Sequence, residues 1–274
     1  MSLTVTIRID PTAFNFLGLD IQWYGIIIAF GGILAYVMYT REGKRFNLDS
    51  DMLLDVLFWA VLAGLIGARL YYVAFNLDYY LKYPLEIINV RAGGMAIYGG
   101  VIGGMIGAYI VTKRYRQPLI QLLDIAAPAL MLAQSVGRWG NFVNQEAYGG
   151  IVSRAFLERL ALPQWLIGQM YIDGAYYHPT FLYESLWNIL GVLLLILLRS
   201  RKHLLREGDV AALYMLWYGV GRSWIEGLRT DSLYLGPLRV SQALSVILVI
   251  IGIAYIGYNH HKQWRHYYSE GRKA

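Results

Sequence analysis

Two arginines stand where a chain this apolar would be expected to carry none. Arg138 lies in GRWGNFVNQEAYGG, Gly137–Gly150, directly after the apolar run Leu122–Val136; Arg222 lies in YGVGRSWIEGLR. A charge at the end of a lipid-buried helix is costly and needs a partner or a function. Arginine stays ionised and presents a planar fork of donors, the geometry that grips phosphate. Asn141, Asn144 and Gln145 follow Arg138 with neutral donors and acceptors suited to a polyol, and Glu146 adds a carboxylate. Around Arg222, the residues Tyr218, Glu226 and Arg229 fall at spacings of 4, 4 and 3, so all four share one helical face. In that stripe Glu226 is expected to hold one arginine and leave the other free for a ligand. A structural Arg–Glu lock is the competing reading, although buried pairs of that kind add little net stability. A phosphate at this depth is most naturally that of a lipid headgroup. Tyr24, in QWYG, supplies a phenol at the same level, with interfacial anchoring as its alternative role.

The elements that must position these groups are membrane helices. The chain is 57% hydrophobic and 15% charged, with a mean hydropathy of +0.42; soluble domains carry about 25% charged residues. Seven apolar runs approach bilayer-spanning length: Leu19–Tyr39, Met52–Phe75, Gly94–Val111, Leu122–Trp139, Thr180–Leu198, Val210–Gly227 and Val240–Tyr258. Backbone groups in lipid must be satisfied within the segment, so these runs are helices. The expected fold is an all-α integral membrane protein, one polytopic domain over residues 1–274. Residues Met1–Gly18 have no apolar core, so no cleavable signal peptide is expected; the Val5, Ile7, Ile9 alternation reads as a short interfacial segment.

Basic residues alternate between loops. Arg41, Lys44 and Arg45 fill the first loop, Lys113, Arg114 and Arg116 the third, Arg199, Arg201, Lys202 and Arg206 the fifth, and Lys262, Arg265, Arg272 and Lys273 the tail. Seven alternating helices put all of these on one side, and the positive-inside rule makes that side cytoplasmic. The N-terminus is then outside, and residues 141–178 form an extracytoplasmic cap, since a connection this long is usually functional. The basic balance, with a pI near 9.3, is therefore a topology signal and does not imply nucleic-acid binding.

Several chemistries are disfavoured. The chain has no cysteine, which removes disulfides and any thiolate of its own. No two histidines have metal-ligand spacing, and no GxSxG is present, so a metal site and a hydrolase elbow are not expected. Ser135 has no evident outward His–Asp partnership. The glycines from Gly93 to Gly107 recur four apart and predict close helix packing, with Tyr98 among them; Gly93–Gly94 also permit a broken start. Transport of an anionic solute is the competing function class, but no inverted repeat is visible. A lipid-binding scaffold without catalysis is a third.

QWYGI, GGMAIYGG, GRWGNFVNQEAYG, HPTFLYE and YGVGRSWIEGLRTD follow one another along nearly the whole chain. In these segments it resembles the prolipoprotein diacylglyceryl transferases, bacterial plasma-membrane enzymes. The resemblance implies seven transmembrane helices, a small outward cap, and an active site toward the extracytoplasmic face. It implies transfer of the diacylglyceryl group of phosphatidylglycerol to the lipobox cysteine thiol of a prolipoprotein. The products are a thioether and glycerol 1-phosphate, in the first step of lipoprotein maturation. The cysteine-free chain fits, because the nucleophile arrives with the substrate. Arg138 and Arg222 become phosphate ligands in catalysis, with Tyr24 and Glu226 beside them. Asn141, Glu146, Gly149, Tyr98, Tyr218 and Arg229 bind substrate. No cofactor or metal is implied, and a monomer is expected. Some family members carry histidine, considered a general base, where this chain has Tyr98. A phenol titrates near pH 10 and is a poor base at neutral pH. A thiol titrates near 8.5, so a positive site can supply thiolate without a dedicated base.

Overall fold

The computed structural model describes residues 8–90, 93–230, 234–236 and 238–271. Long helices occupy the positions of all seven apolar runs: α1 Trp23–Arg45, α2 Ser50–Ala74, α4 Ile97–Arg114, α5 Leu119–Asn144, α8 Thr180–Ser200, α9 Asp209–Leu228 and α10 Val240–Lys262. Three short ones, α3 Leu77–Tyr80, α6 Arg154–Arg159 and α7 Gln164–Gln169, lie between them. The protein is a multi-pass membrane protein: α1, α2, α5, α8 and α10 are each long and apolar enough to cross a bilayer. They turn large apolar side chains outward, among them Phe30, Ile33, Leu65, Leu193 and Ile250, as a lipid solvent demands. The glycine-rich α4 ends on Lys113 and Arg114, and α9 carries Arg222 and Glu226.

The fold is not purely helical, which corrects the all-α expectation. Short antiparallel strands form outside the long helices: β1 Thr12–Phe16 with β2 Leu19–Gln22, a sheet of order β3-β5-β4 (Ile151–Val152, Ala175–Tyr177, Tyr171–Ile172), and β6 Tyr234–Leu235 with β7 Leu238–Arg239. The first run was accordingly placed too early. Leu17 and Gly18 take φ of 52° and 80°, the two-residue turn that favours a hairpin, so Leu19–Gln22 is a strand and α1 starts at Trp23. Of the interfacial alternation, Val5 and Ile7 lie outside the described residues.

The chain divides into two compact units. In the unit of residues 40–122, α2 and α4 meet at glycines. A Cβ on Gly99 would lie 2.3 Å from the Gly67 carbonyl oxygen, and one on Gly103 2.2 Å from that of Ala63. The glycine spacing thus serves backbone contact. Gly93 and Gly94 take φ of 86° and 76° just before α4. They are held by Arg69 of α2, a buried guanidinium that donates to the carbonyls of Glu86, Ile87, Asn89, Gly93 and Gly94. A charge among apolar side chains is tolerated because its donors are satisfied by backbone.

The unit of residues 8–39 and 123–271 holds the arginines of interest. Tryptophans pin α8 to α9: Trp187 and Trp217 stack at 4.4 Å, and each indole donates to the other's carbonyl. Gly191 and Gly221 leave the space these rings fill. At the far end of α9, Asp124 of α5 accepts from the amides of Gly208 and Ala211, a side-chain cap supplied by another helix. Residues 151–178 fold over their own apolar core of Leu157, Leu166, Ile167 and Met170, which also takes in Phe142, Val143 and Phe181.

Candidate active site

The polar signature does not end α5. The helix runs on through Asn144, past the Gly137–Trp139 stretch where the apolar pattern stops. Gly137 and Gly140 face α1: a Cβ on Gly140 would lie 2.6 Å from the Tyr24 ring, so the glycine sets how closely that phenol approaches. Arg138 and Asn141 then share a face, 3.4 Å apart, and the Asn141 amide donates to Glu146 at 2.9 Å.

A single buried side chain secures this end of the helix. Gln169 of α7 donates to the Phe142 and Val143 carbonyls at the helix terminus and accepts from the Ile9 amide. Gln145, turned left-handed at φ 52°, donates back to the Gln169 carbonyl at 2.7 Å.

The centre of the site is Glu184, in the second turn of α8. One carboxylate oxygen pairs with Arg138, and the other meets Arg222 at 2.8 Å and Arg229 at 3.7 Å. Arg222 also pairs with Glu226 at 2.6 Å. The expectation that Glu226 holds one arginine and frees the other is therefore corrected. Both arginines are held, and Glu184, given no role from the sequence, holds them. The five side chains are between 2% and 25% exposed. Among the described residues, three guanidiniums face two buried carboxylates. The cluster can bind an anion and stabilise further negative charge that develops there. Arg239 adds a bond to the Glu226 carbonyl.

Tyr218 and Gly149 lie beside residues of this cluster. Tyr218 lies one turn before Arg222 and stacks on Tyr214, whose hydroxyl accepts from Gln134. Gly149 pairs with Arg229 as an isolated bridge, and its amide donates to the His178 carbonyl. A Cβ there would lie 2.7 Å from that of His178 and 2.9 Å from the Leu228 carbonyl. Gly149→Ala is expected to cost about 1–3 kcal/mol through forced backbone shifts and to move Arg229. A lowered thermal midpoint together with a raised KM for lipid checks this. Tyr98 stands in the first turn of α4, within the other unit, and is half-buried. Burial lowers the pKa of His178, whose Nδ1 lies 3.2 Å from the Tyr183 hydroxyl. Ser135 is buried and bonded to Ser185.

The family model described as prolipoprotein diacylglyceryl transferase matches residues 11–258. This chain belongs to that family. Curated relatives named phosphatidylglycerol–prolipoprotein diacylglyceryl transferase agree over nearly their full length. One from Bacillus cereus strain Q1 is 51% identical over 249 residues, covering 91% of this chain and 92% of its own. One from Bacillus cytotoxicus is 50% identical over 249 residues, with the same coverage. One from Staphylococcus saprophyticus is 49% identical over 246 residues, covering 89% and 87%. Within this diacylglyceryl transferase the signature arginine lies in an ion cluster built from α5, α8 and α9, and the glutamate of HPTFLYE is its hub.

Proposed function

We propose that the protein transfers the diacylglyceryl group of phosphatidylglycerol to the lipobox cysteine thiol of prolipoproteins, the first step of bacterial lipoprotein maturation. The observation that carries this is the convergence of Arg138, Arg222 and Arg229 on Glu184. The thiol sulfur attacks the glyceryl carbon that bears the phosphate. The carbon–oxygen bond breaks with its electron pair on oxygen, and glycerol 1-phosphate departs. The thiol proton passes to solvent. The phosphate goes from one negative charge as a diester to two as a monoester. Preorganised guanidiniums favour that change in a water-poor site. The reaction needs no cofactor or metal.

Arg138 and Arg222 bind the phosphate, with Arg229 at the mouth. Asn141, Glu146, Tyr24 and Tyr218 line the chamber, Gly149 lets its walls approach, and Glu226 steadies Arg222. Tyr98 contributes contact with substrate and no base chemistry; the positive field makes the thiolate accessible. Tyr98→Phe is therefore expected to keep kcat within about threefold, a change small on the scale of the 10²–10⁴-fold that general bases contribute. Loss of transfer with lipid binding retained would overturn that account.

The bilayer placement follows from the charge pattern. Seven helices cross, with the N-terminus outside, the C-terminus in the cytoplasm and residues 141–178 as the extracytoplasmic cap. The working unit is a monomer in the plasma membrane, its site toward the outer leaflet, where phosphatidylglycerol and newly translocated prolipoproteins meet. Purified protein incubated with phosphatidylglycerol and a lipobox peptide should release glycerol phosphate and yield a peptide heavier by the diacylglyceryl group. Absence of both products in an otherwise folded preparation would refute the transferase reading.

A further inference from the structure

Beside the ion cluster, a pocket opens between α8 and α9, lined by Glu184, Trp187, Asn188, Tyr218 and Arg222. Its polar groups come in two matched pairs. Glu184 and Asn188 are four apart on α8, and Tyr218 and Arg222 are four apart on α9, so each helix presents one charged and one neutral polar group. The charged pair is satisfied within itself, at 2.8 Å. The neutral pair is not. Asn188 is only 5% exposed, yet among the described residues nothing bonds its amide. The Tyr218 ring stacks on Tyr214 at 6.0 Å and lines the pocket, and its hydroxyl makes no hydrogen bond among the described residues. The polar atoms of Asn188 open onto the pocket, and an amide exposed there without a protein partner offers its bonds to a ligand. An amide offers both donors and an acceptor, and a phenol offers one of each. That set complements hydroxyl groups and not a second charge.

We propose that this pocket binds the headgroup glycerol of the lipid substrate, with Asn188 as a specificity-determining residue that reads its free hydroxyls. The inference rests on the transferase reading above. The phosphate on Arg138 and Arg222 places the glycerol within reach of the next turn of both helices. A headgroup that lacks hydroxyls leaves Asn188 and Tyr218 without those bonds. A site built to bond a hydroxyl discriminates strongly against the analogue without it.

The test compares initial rates on phosphatidylglycerol and on phosphatidylpropanol, which has the same phosphodiester and acyl chains but no headgroup hydroxyl. The wild-type protein should favour phosphatidylglycerol by about tenfold or more in kcat/KM, the weight of one or two hydrogen bonds. In Asn188→Leu that ratio should fall to within about threefold of unity. Asn188→Ser, smaller and still polar, should give an intermediate ratio and covers the case in which the leucine variant does not fold. A ratio kept at the wild-type value in either folded variant overturns the assignment. Equal wild-type rates on the two lipids also overturn it and leave the transferase reading standing. Wild-type failure on both lipids refutes the transferase reading instead.

Discussion

Glu184→Gln is expected to lower kcat/KM by about a hundredfold or more, the scale on which small misplacements of catalytic groups act. The substitution is nearly isosteric, so packing is kept and only the charge is lost. Arg138 and Arg229 then lose the carboxylate that draws them together, and Arg222 keeps only Glu226. Three like charges at close range in a medium of low polarity repel one another strongly. They will separate, take up water or recruit an anion nonspecifically. Breaking a fully buried pair costs about 3–5 kcal/mol; the partial exposure of the arginines puts the cost here below that. Thermal unfolding in detergent should therefore shift by less than the activity suggests. Two readouts decide the case: transfer to a lipobox peptide at subsaturating lipid, and the unfolding midpoint of the same sample. Wild-type kcat/KM in Glu184→Gln would show that the arginines need no hub. Glu184→Asp should recover only part of the activity, because a shorter arm cannot reach partners on both α5 and α9.

That Glu184 escaped the sequence reading has a physical cause. Periodicity along a helix exposes partners three and four residues away, which is why Arg222 and Glu226 were legible as a pair from spacing alone. Glu184 meets Arg138 across 46 positions of sequence and Arg222 across 38, and no local pattern encodes either pairing. The end of α5 misled for a related reason. Arg138 and the amides look like a helix terminus when read by hydropathy, yet the helix continues, because Glu184 compensates the charge and Gln169 caps the terminal carbonyls. Both compensations come from distant segments. The five helices long and apolar enough to cross a bilayer were legible because lipid imposes a composition on every turn of a spanning segment. The glycine contacts were legible in part: the four-residue spacing marked α4, but nothing in the sequence named α2 as its neighbour. The hairpin β1–β2 was hidden because Leu19 and Ile21 extend the hydropathy of α1 by four residues.

Arg138→Ala is expected to reduce kcat by about 10²–10³-fold, the range found when one donor to a developing negative charge is removed. The phosphate gains its second charge only as the carbon–oxygen bond breaks, so the loss should fall on kcat more than on KM. Arg138→Lys separates charge from geometry. Lysine restores the positive charge but has no fork, whereas Arg138 meets Glu184 through Nε and Asn141 through Nη1, and in the proposed role must also bind phosphate. A single ammonium cannot serve all of these, so the lysine variant should recover no more than about tenfold of the loss. Arg222 presents the same problem in another form, since it spans Glu184 and Glu226 with two different nitrogens. Arg222→Lys can retain one of those contacts and should also remain far below wild type. Because Arg138 and Arg222 share Glu184, their losses are coupled. The double variant Arg138→Ala, Arg222→Lys should lose less than the product of the single losses. Multiplicative losses would mean that the two arginines act at separate places, and the single phosphate site assigned to them would have to be divided.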